Sequence, residues 1–490
     1  MIMTIAISMT AVVVFGICFG LTGIAGVAHQ VMLTTSAGLS AMMNPEIDDS
    51  AKEIAVRRAG LSLIRAAFGI FWRFAFALGA AAAPIYAASG LGLVSSADVF
   101  TVMFRLDYIV GVSAVMILAT ALLRPSNSST DNMSVSKNQY SATDRFFHEL
   151  AFSSPAILKG VSWIEDNTMA RSVPEAVDAP IFITSLARGG TTAMLNALSD
   201  IPGTATHIFR DMPFLTAPVL WHRLSGGDKR TVQRHQRAHG DGLEIDLDTP
   251  EAFEEVAWKM GWPEKYTARG IDLWRSSDHN PRSERFLRHH MAKITYARRL
   301  QGRIKGASKV HYLSKNNANI ARLGFLLETF PDCKIVVPVR RPECHAASLL
   351  RQHCNFLKKH REDDFIRHYM RDIGHFEFGA IHRPILFEDF VPGHFDPANS
   401  NYWMNYWIHT FRHVLEHRDK LALVLQDDLR ATPMATMNGL CEKLDLESYG
   451  VNFHRYFHRD PDVANIEGFD PQIFENACDI YHRIARFAVN

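Results

Sequence analysis

The sequence predicts an α/β protein, a parallel sheet flanked by helices and entered through a P-loop-like turn, preceded by an all-α transmembrane region. Three observations predict it. From Met1 to Pro45 no Asp, Glu, Lys or Arg occurs. An apolar run of strand length, Pro180 to Thr184, passes through a glycine turn into Ala193 to Leu198, which has helical spacing. A second such run, Lys334 to Val339, stops at Arg340-Arg341-Pro342 and gives way to helix character from Glu343 to His353.

The amino-terminal elements come first. Thr4 to Ala28 alone supplies the roughly 20 apolar residues that a hydrocarbon layer requires, and it lacks the basic start and short apolar core of a cleaved signal. Phe74 to Ala97 is a second charge-free run, and Leu106 to Leu123 is a third, shorter one closed by Arg124. Lys52, Arg57, Arg58, Arg65 and Arg73 lie between the first two runs, which predicts a cytoplasmic first loop. Three crossings then place the remainder of the chain in the cytoplasm as well. Ala51 to Arg65 mixes apolar and basic residues as an interfacial helix does. The expected organisation is a membrane region over 1–124 with about three transmembrane helices, a Ser/Asn/Thr-rich flexible linker over 125–142, a lead-in helical segment over 143–178 and a catalytic domain over 179–490.

Composition excludes several functions. With 52 Lys and Arg against 51 Asp and Glu the net charge is +1, which argues against a protein held to nucleic acid by bulk charge. The 6 cysteines show no CxxC spacing and make no disulfide framework in 490 residues. The 23 histidines are scattered, with no HExxH or other recognised ligand pattern, so no metal is expected.

The chemistry begins at the first turn. In Ser185-Leu186-Ala187-Arg188-Gly189-Gly190-Thr191-Thr192 two glycines let the backbone close around an anion. The first N–H groups of the following helix face the turn, and two hydroxyls and one guanidinium surround the same spot. It is not a Walker A loop, because the cation precedes the glycines and no Gly-Lys-Ser/Thr occurs. At the second run Arg340 sits at a strand end, with Ser348 eight positions later on the next helix.

These two segments, in this order, resemble the nucleotide-binding motifs of the sulfotransferases that use 3′-phosphoadenosine-5′-phosphosulfate (PAPS). The resemblance covers roughly Ala179 to Leu446 and implies the sulfotransferase fold, PAPS as cosubstrate and no metal. It implies that Arg188, Gly189, Gly190, Thr191 and Thr192 hold the 5′-phosphosulfate, and that Arg340 and Ser348 hold the 3′-phosphate. Arg341 departs from the family's usual Arg-Asp-Pro and adds charge there. Lys315 matches the lysine-bearing segment ahead of the 3′-phosphate strand, and Leu423 to Leu429 matches a late strand followed by an acidic pair.

Sulfuryl transfer needs a proton acceptor beside the acceptor hydroxyl or amine. Asp211 is the leading candidate and His207 the next, with Glu254 and Glu255 in competition. The acceptor is expected to be a carbohydrate, a lipid or a small molecule. Trp258, Trp262 and Tyr266 are candidates for its pocket or for the core, and the basic stretch Arg282 to Lys309 for a lipid-facing surface or a solvated helix face. A P-loop kinase or nucleotidase and an inactive membrane scaffold are the alternatives.

Overall fold

The computed structural model describes residues 2–22, 49–105, 151–169, 177–224, 247–304, 309–457 and 468–489, with isolated residues and pairs between them. The chain divides into two compact units, 1–131 and 132–490.

In the first unit α1 (Ile2–Leu21) is apolar throughout. Helix α2 (Asp49–Gly90) merges the expected interfacial stretch and most of the second apolar run into one rod. The rod ends in a turn where Gly92 adopts φ 68°, so the second run breaks there, and α3 (Ser96–Met103) follows. Phe15 of α1 meets Phe74 of α2 edge-on, 5.8 Å between ring centroids, while Ala11, Ile85 and Val99 are buried among the three helices. Phe71, Trp72, Phe76 and Tyr86 are exposed. Among the described residues one segment, Phe71–Gly90, is long and apolar enough to cross a membrane, and the apolar part of α1, Met3–Cys18, is shorter. The third run and the linker lie outside the described residues apart from two isolated positions. Among the described residues, one candidate span thus stands where a multi-pass arrangement was expected.

In the second unit five parallel strands form the central sheet, β1 (Asp178–Ile183), β2 (Thr204–Ala205), β3 (His311–Lys315), β4 (Lys334–Val339) and β5 (Leu421–Leu425). Their order is β2-β3-β1-β4-β5. Strands β4 and β5 read as near-continuous apolar runs because both faces are covered. Phe182, Ile335, Val337 and Leu423 belong to one core, and Ile181, Ile183, Val336 and Val424 to the other. The helices that position the site are α4 (Pro155–Met169), α5 (Thr191–Ser199), α6 (Pro281–Leu300), α7 (Leu323–Thr329), α8 (Pro342–Glu362), α9 (Ser400–Glu416), α10 (Gln426–Ala431) and α11 (Pro433–Lys443). Leu287 and Ile294 of α6, Leu349 of α8 and Trp403 of α9 join the first core, and Met194 of α5 and Leu440 of α11 the second.

Helix α6 starts where the Asn280 side chain accepts from the N–H groups of Arg282 and Ser283, both at 3.2 Å, with Pro281 at its first position. Two of its cations depart from the expected surface placement, while Arg282, Arg285, Arg299 and Arg303 are exposed. Lys293 is buried, donates to Ser162 Oγ at 3.0 Å and pairs with Glu165 of α4 at 3.4 Å. Arg298 is buried against Asp211. Two cations of the basic stretch therefore hold the fold together from inside.

Trp258 and Trp262 are core residues too. The guanidinium of Arg322 lies 4.3 Å from the ring centroids of both Trp258 and Trp274 and pairs with Glu255 through bonds of 2.9 and 3.0 Å. Tyr266 Oη and Asn316 Nδ2 also donate to Glu255. Breaking a buried ion pair from one side strands the other charge, at a cost of about 3–5 kcal/mol. Glu255→Ala is expected to destabilise the chain by that amount in urea unfolding, whereas an unchanged midpoint would show that the Arg322 sandwich stands without its carboxylate.

Candidate active site

Strand β1 sits between β3 and β4, so chain direction across the sheet switches there, and the turns after β1 and β4 open side by side at the carboxyl edge. The turn after β1 is pinned at its start by Thr184 N–H donating to Val336 O at 3.0 Å. Gly190 ends it in left-handed backbone, φ 93°, as the cap of α5. Arg188 is also left-handed, at φ 66°, a conformation a non-glycine residue adopts at a cost of about 1–3 kcal/mol. The glycines are required by close approach. A Cβ on Gly189 would lie 2.8 Å from both Leu186 O and Ser185 Oγ, and one on Gly190 would lie 2.1 Å from Gln426 Nε2, at the start of α10. Ser185 Oγ and Gln426 Oε1 are buried at this turn without a hydrogen-bond partner.

The structure brings the two sequence motifs together. Arg188 Nε donates to Ser348 Oγ at 3.3 Å, and Arg340 Nη1 donates to Arg188 O at 3.1 Å. Under the turn, His345 of α8 donates Nε2–H to Ala187 O at 2.8 Å. Burial, then the charge of Arg340, push this imidazole down to about 3, so it stays neutral. Arg341 is exposed and pairs with Asp427 at 2.6 Å, so the charge expected to be added beside the site is balanced by α10. Lys315 is buried at the end of β3, in register with Ile183, at the same edge of the sheet.

Asn317 stitches the turn to what lies beyond it. Its backbone oxygen accepts from Thr184 Oγ1 at 3.2 Å, and its Oδ1 accepts from Thr191 Oγ1 at 3.1 Å. Its Nδ2 donates to Glu377 Oε1 at 2.8 Å. A narrow cleft with ≈ 40 Å³ of water-accessible space adjoins the turn at Leu186 and Ala187 and is lined also by Asn317, Phe376, Glu377 and Trp403.

Residues 180–383, which contain the turns after β1 and β4 and Glu377, match the Sulfotransferase family. That match lies wholly within the second unit. Solved structures similar to the chain include sulfotransferase STF1 from Mycobacterium tuberculosis H37Rv, at 14% identity over 76% of this chain and 91% of that one, with a TM-score of 0.35. Another is sulfotransferase STF9 from Mycobacterium avium, at 13% over 76% of this chain and 96% of that one, TM-score 0.39. A third is the sulfotransferase domain of the Synechococcus PCC 7002 olefin synthase, at 13% over 64% and 96%, TM-score 0.28. Likeness this distant carries no argument about chemistry, and the fold rests on its own strand order. No curated protein matches the sequence.

Within the second unit the expected proton acceptors are engaged elsewhere. Asp211 closes a short 3-10 turn, Phe209–Asp211, where one oxygen is paired with Arg298 and the other accepts from Ile208 N–H at 3.0 Å and lies 3.3 Å from His207 Nδ1. Burial alone would raise its pKa, but Arg298, then His207 and the Ile208 N–H, outweigh it and hold the carboxyl down to about 2. A carboxylate this acidic is a weak proton acceptor, and its oxygens are already held by Arg298 and the Ile208 N–H, which fits the expected role of base poorly. His207 is buried between Asp211 and His290, with its Nε2 3.0 Å from His290 Nε2. Glu254 accepts from Trp258 Nε1 and Tyr312 Oη, both at 2.8 Å. Glu377 and Asn317 are the residues that sequence reasoning passed over, together with Gln426. The only local signal was the Asn316-Asn317 pair directly after a strand.

Because the pKa of Asp211 is about 2 in the fold against 3.8 for an unperturbed aspartate, it contributes about 2 kcal/mol of stability. That contribution is fully present above the unfolded pKa and is lost as pH falls through the folded one. Asp211→Asn is expected to be destabilised at neutral pH, and the gap to the parent in urea unfolding should narrow steadily on acidification below about pH 4. A gap independent of pH would show that the Arg298 pair does not set this carboxyl.

Proposed function

We propose that the domain transfers a sulfuryl group from PAPS to a hydroxyl or amine of a carbohydrate, lipid or small-molecule acceptor held in the cleft beside Glu377. The observation that carries this reading is the convergence of Arg188, Arg340 and Ser348, from segments 152 and 160 positions apart, at one edge of the sheet. The donor set fits a nucleotide with two separate phosphates. The glycine turn packs too closely on Gln426, Leu186 and Ser185 to admit a Cβ, and the buried hydroxyl of Ser185 supplies a polar atom that the protein itself does not pair.

In this reading the α5 N–H groups, Thr191, Thr192 and Arg188 bind the 5′-phosphosulfate, Arg340 and Ser348 bind the 3′-phosphate, and Lys315 adds positive charge from the neighbouring strand. The acceptor oxygen or nitrogen forms the new bond to sulfur as the bond from sulfur to the 5′-phosphate oxygen breaks. The acceptor proton passes to the carboxylate of Glu377, and charge developing on the departing phosphate oxygen meets Arg188 and the hydroxyls. Asn317 holds Glu377 and Thr191 in one hydrogen-bonded line, which fixes the proton acceptor relative to the turn. We infer that Phe71–Gly90 anchors the chain to a membrane, and the basic residues of 52–73 favour a cytoplasmic location for that flank.

Arg340→Ala removes charge-assisted bonds worth roughly 1.5–3 kcal/mol each, so affinity for the desulfated nucleotide should fall by about ten- to a hundredfold in equilibrium titration of the full chain. Parental affinity in that variant, or tighter binding of ATP by the parent, would overturn the nucleotide reading. Glu377→Gln should keep nucleotide affinity and lower desulfated-nucleotide release from PAPS by about 100-fold or more. Undiminished release would remove Glu377 as the proton acceptor.

A further inference from the structure

A second constellation lies away from the phosphate turn, at the carboxyl end of α9. The sequence there is His413-Val414-Leu415-Glu416-His417. Spacings of three and four residues put His413, Glu416 and His417 on one face of the last helical turn. One ligand atom from each, all lying within 4.8 Å of one another, forms a cluster of two imidazoles and a carboxylate. We infer that this turn is a binding site for a divalent cation of the zinc class.

Four features of the cluster support a cation. First, His413 Nδ1 and Glu416 Oε2 are 3.2 Å apart. Two ligands on a tetrahedral ion with bonds of about 2.0–2.1 Å stand about 3.3 Å from each other, so this pair is already at ligand spacing. Second, His417 Nδ1 lies 3.1 Å from the backbone oxygen of His413, which can only accept. The proton is therefore on Nδ1, and Nε2 keeps its lone pair in a fixed direction, as in metal sites whose second ring nitrogen is held by the protein.

Third, His413 has nothing else to give up. Its Nε2 is buried without a hydrogen-bond partner, so no group of the protein competes for that nitrogen. Fourth, α7 passes the site with a glycine. A Cβ at Gly324 would lie 3.2 Å from His417 Nε2, so its absence keeps space at that nitrogen.

Location adds to this. The last carbonyls of a helix carry partial negative charge that favours a cation. The side chain of Glu416 is 63% exposed and that of His413 17%, so ions and water reach the cluster from solvent. Two nitrogens and one oxygen suit zinc, nickel or copper ions and suit magnesium or calcium poorly. The bound ion clamps the last turn of α9, the helix whose buried residues Trp403 and Tyr406 line the cleft at its other end.

The test is calorimetric titration of zinc sulfate into the chelator-treated, tag-free full chain, with thermal unfolding read in parallel. The parent is expected to bind one equivalent and to unfold at a higher temperature with zinc than without, with no response to magnesium. His417→Gln and Glu416→Gln, both on the accessible side, should fold as the parent does and weaken zinc binding by about tenfold or more. A parent that binds no zinc, or variants that bind it as tightly as the parent, overturn the site.

Discussion

A turn that gathers arginines must dispose of its own backbone carbonyls. In this protein they are taken up from below, where Arg340 donates to the carbonyl of Arg188 and His345 to that of Ala187. Both donors come from the strand end and helix that follow β4, so the second anion-binding segment is the structural floor of the first. The positive φ of Arg188 belongs to the same arrangement, because it lets the residue turn its carbonyl to Arg340 while its side chain reaches Ser348.

The parts of the fold carried by local pattern were legible in the sequence. Strands β1 and β4 announced themselves as short apolar runs ending in glycines or in arginine and proline, and their partner helices followed from spacing. What escaped was set by tertiary contact. Asp211 looked available because its closest charged neighbour in sequence is Arg210, yet Arg210 reaches Asp248 and the buried partner is Arg298, 87 residues on. Lys293 and Arg298 looked like surface charge because nothing in α6 reveals that carboxylates from α4 and from the Phe209–Asp211 turn will meet them. Glu377 stands in an irregular segment with no motif around it, and its place beside the cleft follows only from Asn317.

The amino-terminal unit shows how far composition carries an inference. A charge-free stretch guaranteed an apolar helix, and α1 and α2 are such helices, but the number of crossings depends on where helices break. The turn at Gly92 shortens the second run, and exposed aromatic rings gather on the segment Phe71–Gly90. An outward-facing apolar belt of this kind needs a nonaqueous neighbour.

Asn317 touches both ends of the phosphate turn and the carboxylate that borders the cleft. With the proposed donor at the turn and the proposed acceptor in the cleft, Asn317 is the side chain through which the two would be coupled. Thermodynamic linkage makes such coupling reciprocal, so the factor by which one substrate tightened the second would be the factor by which the second tightened the first.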